Sequence, residues 1–352
     1  MTGRRWRVGI LGLGHWYSAY GLARAMSEYP RAELAGVAWH DPAQLEAFAQ
    51  TFHVPAYADY FQLLAREDID IVHLSAPVSE LPELAIQAAG AGKHMVLGKP
   101  MAMTLEQADA MVAAVEASGV VCVPFEGSMR VRSAELKARL DAGEIGDLVV
   151  AHQTSRWSIA EDWYASGRPG WFADPRHVPG GAFIDEGIYA IDFLRWLSGS
   201  EVVRVEARMA NLVHTELAVE DWGMATLTFA NGLLATLEAS WTIAAPRKTG
   251  PSPKQNAVLR TELIGRRGEI IEQAFRVPGR AVLAAGARDW VFERESQAPY
   301  GPPTPFPLSH LIDCLDQGTT PAATIRDARR AFGVAMAAYE AARAGQPVHL
   351  TW

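Results

Sequence analysis

The chain has 352 residues, 49% of them hydrophobic and 20% charged, a composition typical of soluble globular proteins and long enough to favour two domains. The formal net charge of −8 argues against a nucleic-acid-binding protein, which needs a basic surface. No apolar run approaches the roughly 20 residues that span a bilayer, so we expect no membrane association.

The first third of the chain alternates strand and helix patterns. We predict that a unit of one strand and one helix repeats along this segment. Such repeats indicate parallel strand pairing with right-handed crossovers. Residues 1–124 are therefore predicted to form a doubly wound parallel sheet of the Rossmann type. The predicted strands are Arg7–Leu11, Leu34–Trp39, Ile69–Leu74, Met95–Leu97 and Val120–Pro124, and the helices are His15–Glu28, Ala43–Phe52, Glu80–Ala91 and Leu105–Ser118.

Residues 125–352 show a different pattern, in which strands follow one another without intervening helices. Asn231-Gly232 separates two of these strands and is a strong hairpin signal. The pattern favours an α+β domain with a mostly antiparallel sheet. Its predicted strands are Leu148–Ser155, Val202–Leu212, Gly223–Phe229, Leu233–Trp241 and Leu259–Ile264; its helices are Ser133–Ala142, Ile188–Leu197, His310–Gln317 and Ile325–Ala344; its loops are 245–256 and 298–307.

A glycine-containing turn follows the first predicted strand. Gly12 allows a tight turn, and Gly14 lets the backbone approach a pyrophosphate at the start of the next helix, beside His15 and Trp16. Tyr17 occupies the third glycine position of the dinucleotide fingerprint, so a tyrosine there either displaces the helix or points outward. The two glycines alone could also serve an ordinary turn.

The end of the second strand reads Trp39-His40-Asp41. Asp41 either binds the ribose hydroxyls of NAD or caps the following helix next to Pro42, and the sequence leaves both open. Trp39 either stacks on adenine or belongs to the core. No arginine stands here to select a 2′-phosphate, so the cofactor is NAD or NADP, with NAD favoured.

Two polar clusters carry the candidate chemistry. Lys99 follows a short strand, at the position where open α/β sheets bind ligands. Asp185 and Tyr189 lie in the second domain, and a lysine and a tyrosine form a plausible proton-transfer pair. Taken alone, Tyr189 is more typical of a core tyrosine and Lys99 of a solvated loop lysine.

Three segments, GKHMVLGKP, GGAFIDEGIYAID and VEDWGMATLTFANGLLATLEASW, resemble the Gfo/Idh/MocA oxidoreductase family in the right order. The resemblance implies a Rossmann domain followed by a domain with a large open, mostly antiparallel sheet. The E-K-P lysine of the family corresponds to Lys99, and its D-x-G-x-H-x-x-D motif to Asp185, Gly187, Tyr189 and Asp192. A tyrosine at this histidine position is similar to the glucose-fructose oxidoreductase and dihydrodiol dehydrogenase branches.

The resemblance also implies binding residues. Ser75 and Pro77 are expected at the cofactor, and Arg130 at the substrate. Trp163, Arg168 and Trp171 either line a sugar pocket or belong to a packed loop. The histidines show no metal-ligand spacing, so no metal is expected.

Several positions depart from the family pattern around the expected cofactor cleft. Gly98 stands where the family usually has glutamate, Leu81 where it has histidine and Val78 where it has asparagine. With Tyr17 and Trp39, these differences bear on cofactor affinity rather than on fold.

The resemblance implies an NAD(P)-dependent oxidoreductase acting on a sugar, cyclitol or related polyol. A phenol with a pKa near ~10 is a poor base at neutral pH, and a nearby ammonium would lower that value, so Lys99 would assist Tyr189. Asp185 would orient the lysine or bind a substrate hydroxyl. Two alternatives are a dinucleotide-sensing regulator and an enzyme that uses nicotinamide transiently for elimination or glycoside cleavage.

Assembly and location complete the expectations. Family members often pair through the open face of the second sheet, which implies a homodimer or homotetramer. Cys122 and Cys314 cannot form a disulfide framework. Arg4-Arg5 could begin an export signal, but the apolar segment behind it is interrupted by glycines and fits a first strand better. We therefore expect a cytoplasmic protein.

Overall fold

The computed structural model describes residues 4–159, 170–243, 257–274, 279–284, 286–287, 289–293 and 306–352. The chain divides into two compact units. The first comprises Met1–Ser128, Arg176–Val178 and Pro302–Arg329, and the second comprises Met129–Pro175, Pro179–Gly301 and Arg330–Trp352. The domain division after residue 124 stays a prediction.

Strands and helices alternate at the start of the chain and give way to consecutive strands later. In chain order the elements up to residue 124 are β1 (Trp6–Leu11), α1 (Trp16–Ser27), β2 (Ala32–Ala38), α2 (Pro42–Phe52), β3 (Ala56–Tyr57), α3 (Tyr60–Leu64), β4 (Ile71–Leu74), α4 (Leu81–Gly90), β5 (His94–Leu97), α5 (Leu105–Ser118) and β6 (Cys122–Pro124). They are followed by α6 (Ser128–Arg132), α7 (Ala134–Asp141), β7 (Leu148–Arg156), α8 (Ala182–Ser198), β8 (Val202–Ala210), β9 (Trp222–Phe229), β10 (Leu234–Ser240), β11 (Val258–Gly265), β12 (Glu269–Ala274), β13 (Gly279–Leu283), β14 (Val291–Glu293), α9 (Leu308–Gln317), α10 (Ile325–Ala344) and β15 (Val348–His349).

The first unit contains a six-stranded parallel sheet in the order β3-β2-β1-β4-β5-β6, which confirms the predicted doubly wound fold. Its short strands are almost wholly buried, as expected when helices cover both faces. Helix α2 starts at the N-cap Asp41, and α5 starts at the N-cap Thr104 and ends at Gly119 in the left-handed conformation. One apolar cluster of this unit joins the sheet to α1 and α9 through Trp6, Val8, Leu22, Met26, Ala32, Ile71, Val96, Val123, Leu308, Leu311 and Ile312.

The second unit contains a nine-stranded sheet in the order β14-β13-β12-β11-β7-β10-β9-β8-β15. Among the described strands of this nine-stranded sheet, only β7 and β10 pair in parallel, so the predicted mostly antiparallel sheet is confirmed. The hairpin at Asn231-Gly232 is also confirmed, because β9 and β10 pair directly across it. Helix α8 packs on β7, β9 and β10 and covers one face of the sheet.

Helix α8 begins six residues earlier than the predicted start at Ile188. The polar residues before Ile188 and the helix-weakening Gly187 suggested a loop. In the structure Gly187 lies against β10, where a Cβ would be 3.4 Å from Leu237 Cδ2, so close packing keeps this glycine inside the helix. The sequence prediction also missed several elements, most of them short: β3, α3, α6, β12, β13, β14 and β15.

Candidate functional site

One group of candidate residues lies at the carboxyl edge of the parallel sheet in the first unit. Strands β1, β4 and β5 are neighbours, and Leu11, Leu74 and Leu97 stand in register at their ends. Because parallel strands end at the same edge, the residues that follow them, Gly12, Ser75 and Lys99, come together there. This is the crevice in which doubly wound sheets bind their ligands.

The glycine turn packs tightly against the segment after β4. Gly12 has φ +93°, and a Cβ on it would lie 2.5 Å from the backbone of Ala76. A Cβ on Gly14 would lie 2.8 Å from Cδ of Pro77. The two glycines therefore allow this turn to sit against residues 75–77, and neither position tolerates a side chain without movement.

Hydrogen bonds lock the same contact. The His15 N–H donates to the Ser75 carbonyl over 2.8 Å, and the Ser75 hydroxyl donates to the His15 carbonyl over 3.2 Å. The Ser75 N–H donates to the Leu11 carbonyl over 2.8 Å. Ser75 and Pro77, both predicted at the cofactor, are buried supports of the glycine turn.

Two histidines of this unit are buried close to the glycine turn. Burial, reinforced by the Lys99 ammonium and by His73, holds the pKa of His15 well below its ordinary value. Burial also lowers the pKa of His73 to about 4, and His73 Nε2 lies 3.0 Å from Ser18 Oγ. Lys99 follows β5 at the same edge of the sheet and is only 6% exposed, which is unusual for a lysine.

The start of α1 presents two aromatic side chains. Trp16 and Tyr17 are 43% and 39% exposed, so Tyr17 points outward, one of the two outcomes expected for it. The Tyr17 ring stacks on His15 at a centroid distance of 5.8 Å. Within the described part of the chain, no side chain caps the first turn of α1, as in helices whose N–H groups bind a phosphate.

The structure shows how Asp41 and Trp39 are used at the tip of β2. The Asp41 carboxylate accepts a hydrogen bond from the Gln44 N–H over 3.0 Å, so it caps α2. The Trp39 ring is buried, and its Nε1–H donates to Gln44 Oε1. Its ring centroid lies 3.9 Å from that of the exposed His40 ring, with the two rings tilted. Trp39 therefore belongs to the core, while whether Asp41 and His40 also contact a cofactor stays a prediction.

The departures at Gly98 and Leu81 are neighbours in space. A Cβ on Gly98 would lie 2.9 Å from the Leu74 carbonyl oxygen and 3.5 Å from Cδ1 of Leu81, which is fully buried. At these two neighbouring positions, next to Lys99, a glycine and a leucine therefore replace the glutamate and the histidine that are usual in the family.

A second group of candidate residues lies on α8 in the second unit. Asp185 and Tyr189 are one turn apart and share a helix face, Asp185 buried and Tyr189 half-buried. Asp192, one further turn along, forms a buried ion pair with Arg130 of α6, with Nε–Oδ2 2.8 Å and Nη2–Oδ1 2.5 Å. Arg130, predicted at the substrate, thus commits two donors to holding this helix, and its substrate contact stays a prediction.

Three aromatic side chains, each in contact with the next, extend from Asp185. The Trp241 Nε1–H donates to Asp185 Oδ2 over 3.0 Å, and Trp241 is 1% exposed. Phe172 packs edge-on to Trp241 at 6.5 Å, and Trp171 contacts Phe172 at 4.5 Å between ring centroids. Trp171, one of the predicted substrate residues, lies in a 3₁₀ turn and is half-buried. Trp163 and Arg168 lie outside the described residues.

Sequence reasoning missed a buried carboxylate that fixes the start of α8. Glu220 accepts hydrogen bonds from the N–H groups of Gly181 and Phe183 at 2.9–3.0 Å and from the Tyr339 hydroxyl at 2.7 Å. The Tyr339 oxygen also accepts a hydrogen bond from the Ile184 N–H. Burial raises the pKa of Glu220. The only available sequence signal was the adjacent acidic pair Glu220-Asp221, which gives no indication of a helix so distant in the chain.

Among the described residues, no group of three or more His, Cys, Asp or Glu side chains is arranged to hold a metal ion. None of the described helices combines the length and apolarity that crossing a membrane requires.

Comparisons with known proteins cover most of the chain. Residues 6–125 match the family model described as an oxidoreductase family with an NAD-binding Rossmann fold, and residues 133–271 match the GFO/IDH/MocA C-terminal domain. The scyllo-inositol 2-dehydrogenase (NAD(+)) of Bacillus subtilis (strain 168) is 28% identical over 98% of this chain and 96% of its own length. The D-apiose dehydrogenase of Paraburkholderia graminis is 27% identical over 99% of this chain and 91% of its own length.

A solved structure shares the fold over the whole chain. Levoglucosan dehydrogenase in complex with NADH and L-sorbose matches with a TM-score of 0.85 and 22% identity, covering 99% of this chain and 100% of its own. At this identity the likeness shows the fold alone. Together the matches account for the Rossmann sheet and for the large open sheet.

Proposed function

Because the chain belongs to the Gfo/Idh/MocA family of oxidoreductases, with an NAD-binding Rossmann domain, we propose that it transfers a hydride between NAD(P) and a hydroxyl-bearing carbon of a sugar, cyclitol or related polyol. The observation that carries this proposal is the position of Lys99, which is buried after β5 at the carboxyl edge of the sheet that also carries the glycine turn. The named activities of the relatives on inositol and apiose support the substrate class.

The residues of the first unit fit a dinucleotide. Gly12 and Gly14 keep the turn free of side chains, and the first turn of α1 offers N–H groups to a pyrophosphate. NAD is favoured over NADP because the tip of β2 carries Asp41 and no arginine for a 2′-phosphate. Titration of the purified protein with NADH and with NADPH by fluorescence measures both affinities, and tighter binding of NADPH would contradict the preference.

Tyr189 is proposed as the general base for oxidation. Its phenolate removes the proton of the substrate hydroxyl while the C–H bond of the same carbon breaks, and the phenol returns that proton in the reverse direction. The Lys99 ammonium stabilises the phenolate and donates to the substrate oxygen. Bound NAD(P) supplies the hydride acceptor in oxidation and the hydride in reduction. Asp185 accepts a hydrogen bond from a second hydroxyl of the polyol.

Variants of the two proposed catalytic residues test this chemistry. Tyr189→Phe is expected to lower kcat at least about a hundredfold, the contribution typical of general acid–base catalysis, and to leave the NADH dissociation constant nearly unchanged. Lys99→Ala is expected to be at least as damaging. Activity of Tyr189→Phe equal to that of the wild type would show that the phenol is not the acid/base.

A second measurement separates net oxidation from transient use of the cofactor. Wild-type protein is incubated with a panel of polyols, and NADH absorbance and product are followed together. Net oxidation forms one NADH per product. Product without accumulating NADH would instead indicate elimination or glycoside cleavage through a transient redox step.

We also infer a homodimer or homotetramer that associates through the open face of the nine-stranded sheet. The face turned away from α8 carries Met224 and Leu234, which are 44% and 49% exposed. Light scattering of the wild type and of Leu234→Glu tests this assembly, and an unchanged mass in the variant would contradict the role of this face. A cytoplasmic location accords with Cys122 and Cys314, which are buried free thiols.

A further inference from the structure

The environment of Asp185 contains a group that the proposed chemistry does not use. The indole Nε1–H of Trp241 donates to Asp185 Oδ2 over 3.0 Å, and the two residues are 1% and 4% exposed. A hydrogen bond to an ionised acceptor is stronger than a neutral one, and more so away from water. This contact is therefore strong enough to decide how the Asp185 carboxylate is oriented.

Trp241 is itself held in place from three sides. Its backbone N–H donates to the Asp221 carbonyl over 2.8 Å, and its carbonyl lies 3.3 Å from His214 Nε2. The fully buried Asp221 carboxylate accepts hydrogen bonds from the N–H groups of Leu212, Val213 and His214 at 2.6–2.8 Å. The indole ring packs against Phe172. The donor thus has a fixed position relative to the sheet.

The acceptor is fixed as well. Asp185 stands in the first turn of α8, and its N–H donates to the Gly181 carbonyl. Glu220, adjacent in sequence to Asp221, receives the N–H groups of Gly181 and Phe183. The pair Glu220-Asp221 therefore anchors both the helix that carries Asp185 and the turn that holds Trp241.

The indole of Trp241 determines which role the facing oxygen of Asp185 plays in their hydrogen bond. An indole N–H is a donor only, so its partner oxygen must accept. A carboxylate held this way offers acceptors in a fixed plane, which suits recognition of a neutral hydroxyl. Loss of the indole donor would give the Asp185 carboxylate more orientational freedom.

We propose that Trp241 is a positioning residue, which holds the Asp185 carboxylate oriented to accept a hydrogen bond from a substrate hydroxyl beside the reacting carbon. The inference rests on the proposed polyol oxidation. It adds a residue that touches neither cofactor nor substrate and acts through Asp185.

The test compares Trp241→Phe with wild type on the polyol that the wild type oxidises. The variant keeps the aromatic volume and removes one donor to a charged group, so kcat/KM is expected to fall about 10- to 100-fold. Most of the change is expected in KM rather than in kcat, because the lost contact positions a substrate-binding carboxylate. A purely structural role would lower stability without this selective rise in KM.

Trp6→Phe is the matched control. Its buried indole Nε1–H donates to Asp316 Oδ1 over 3.1 Å in the first unit, at the amino end of β1. This variant is expected to keep the wild-type kcat and KM. An effect equal to that of Trp241→Phe would show that any lost indole donor has the same consequence, and would overturn the proposal.

Two further variants keep the idea testable. Trp241→His retains a ring N–H and is expected to recover part of the lost kcat/KM, which also covers the case in which the phenylalanine variant does not fold. In the Asp185→Asn background, Trp241→Phe is expected to change kcat/KM by less than about twofold, because the two act as one unit. Full additivity of the two substitutions would overturn the proposal.

A readout without turnover separates this inference from the proposed function. The γ-carbon resonance of Asp185, labelled with ¹³C and assigned with Asp185→Asn, is compared in wild type and in Trp241→Phe. The resonance is expected to shift in the variant, because the carboxylate loses its indole donor, even if no polyol is oxidised. An unchanged resonance overturns the positioning role, whereas absent turnover with a shifted resonance overturns only the proposed function.

Discussion

The Arg130 guanidinium binds both carboxylate oxygens of Asp192 in a buried, side-on arrangement, with Nε–Oδ2 2.8 Å and Nη2–Oδ1 2.5 Å. Asp192 is 0% and Arg130 6% exposed, and Arg195 adds a longer contact of 3.5 Å to Oδ1. The pair ties α6 to the middle of α8, three residues beyond Tyr189. Its geometry supports the helix that carries the proposed base.

Removing one partner of this ion pair is expected to be costly. Asp192→Leu leaves the Arg130 charge buried without its carboxylate and is expected to lower the free energy of unfolding by about 3–5 kcal/mol. The double variant Arg130→Met with Asp192→Leu is expected to lose much less, because no uncompensated charge remains. Urea unfolding of the three proteins measures this, and equal losses in single and double variants would contradict it.

A methyl group on Gly12 is expected to damage both fold and cofactor binding. The residue has φ +93°, and a Cβ would lie 2.5 Å from the backbone of Ala76. Gly12→Ala is therefore expected to cost about 1–3 kcal/mol of strain and to weaken NADH binding in a fluorescence titration. The control is Gly21→Ala in α1, where nothing lies within 4 Å and alanine is expected to stabilise by up to about 1 kcal/mol.

The glycine turn and Lys99 could be located from the sequence because local patterns determine them. A short apolar strand followed by a turn recurs along the first third of the chain, and parallel pairing then places every strand end at one edge. Tyr189 fell within a predicted helix, whereas Asp185 did not, because the predicted helix began at Ile188 and α8 begins at Ala182. The alternatives at Asp41 and Trp39 depended on where a side chain turns, which needs the packed structure.

The supports of the site escaped prediction because they join residues far apart in the chain. Trp241 reaches Asp185 across 56 residues, and Glu220 reaches Gly181 across 39. A tryptophan or a glutamate at the end of a strand has no local pattern that names its partner. Only the assembled sheet and helix bring the donor and the acceptor together.

The hydrogen bond between Tyr339 and Glu220 is expected to be energetically coupled. Tyr339→Phe removes the donor at 2.7 Å, and Glu220→Gln replaces one of the two carboxylate oxygens that face the Gly181 N–H with an NH2 group, which cannot accept. Each single variant is expected to lose about 1–3 kcal/mol, with a coupling of about 1 kcal/mol or more in the double-mutant cycle. Chemical unfolding provides the four values, and a coupling of zero would contradict the contact.

His73 is expected to make stability depend on pH. Burial lowers its pKa from the ordinary 6.5 to about 4, so between these values the unfolded chain binds a proton that the folded chain does not. Stability is therefore expected to fall as the pH drops from about 6.5 to about 4, by up to roughly 3 kcal/mol from this residue. Unfolding curves of wild type and His73→Gln across this window give the difference, and parallel pH dependences would contradict the assignment. His40→Gln, at an exposed histidine, serves as the control.

A side chain at Gly98 is expected to disturb the sheet edge next to Lys99. A Cβ would lie 2.9 Å from the Leu74 carbonyl oxygen, so Gly98→Ala must separate the ends of β4 and β5, at a cost of about 1–3 kcal/mol. The same displacement shifts Lys99, so NADH binding and kcat are expected to fall together. Gly90→Ala, at a position with nothing within 4 Å, is expected to keep both. Wild-type stability and cofactor affinity in Gly98→Ala would contradict this prediction. They would show that packing against Leu74 does not require a glycine at position 98.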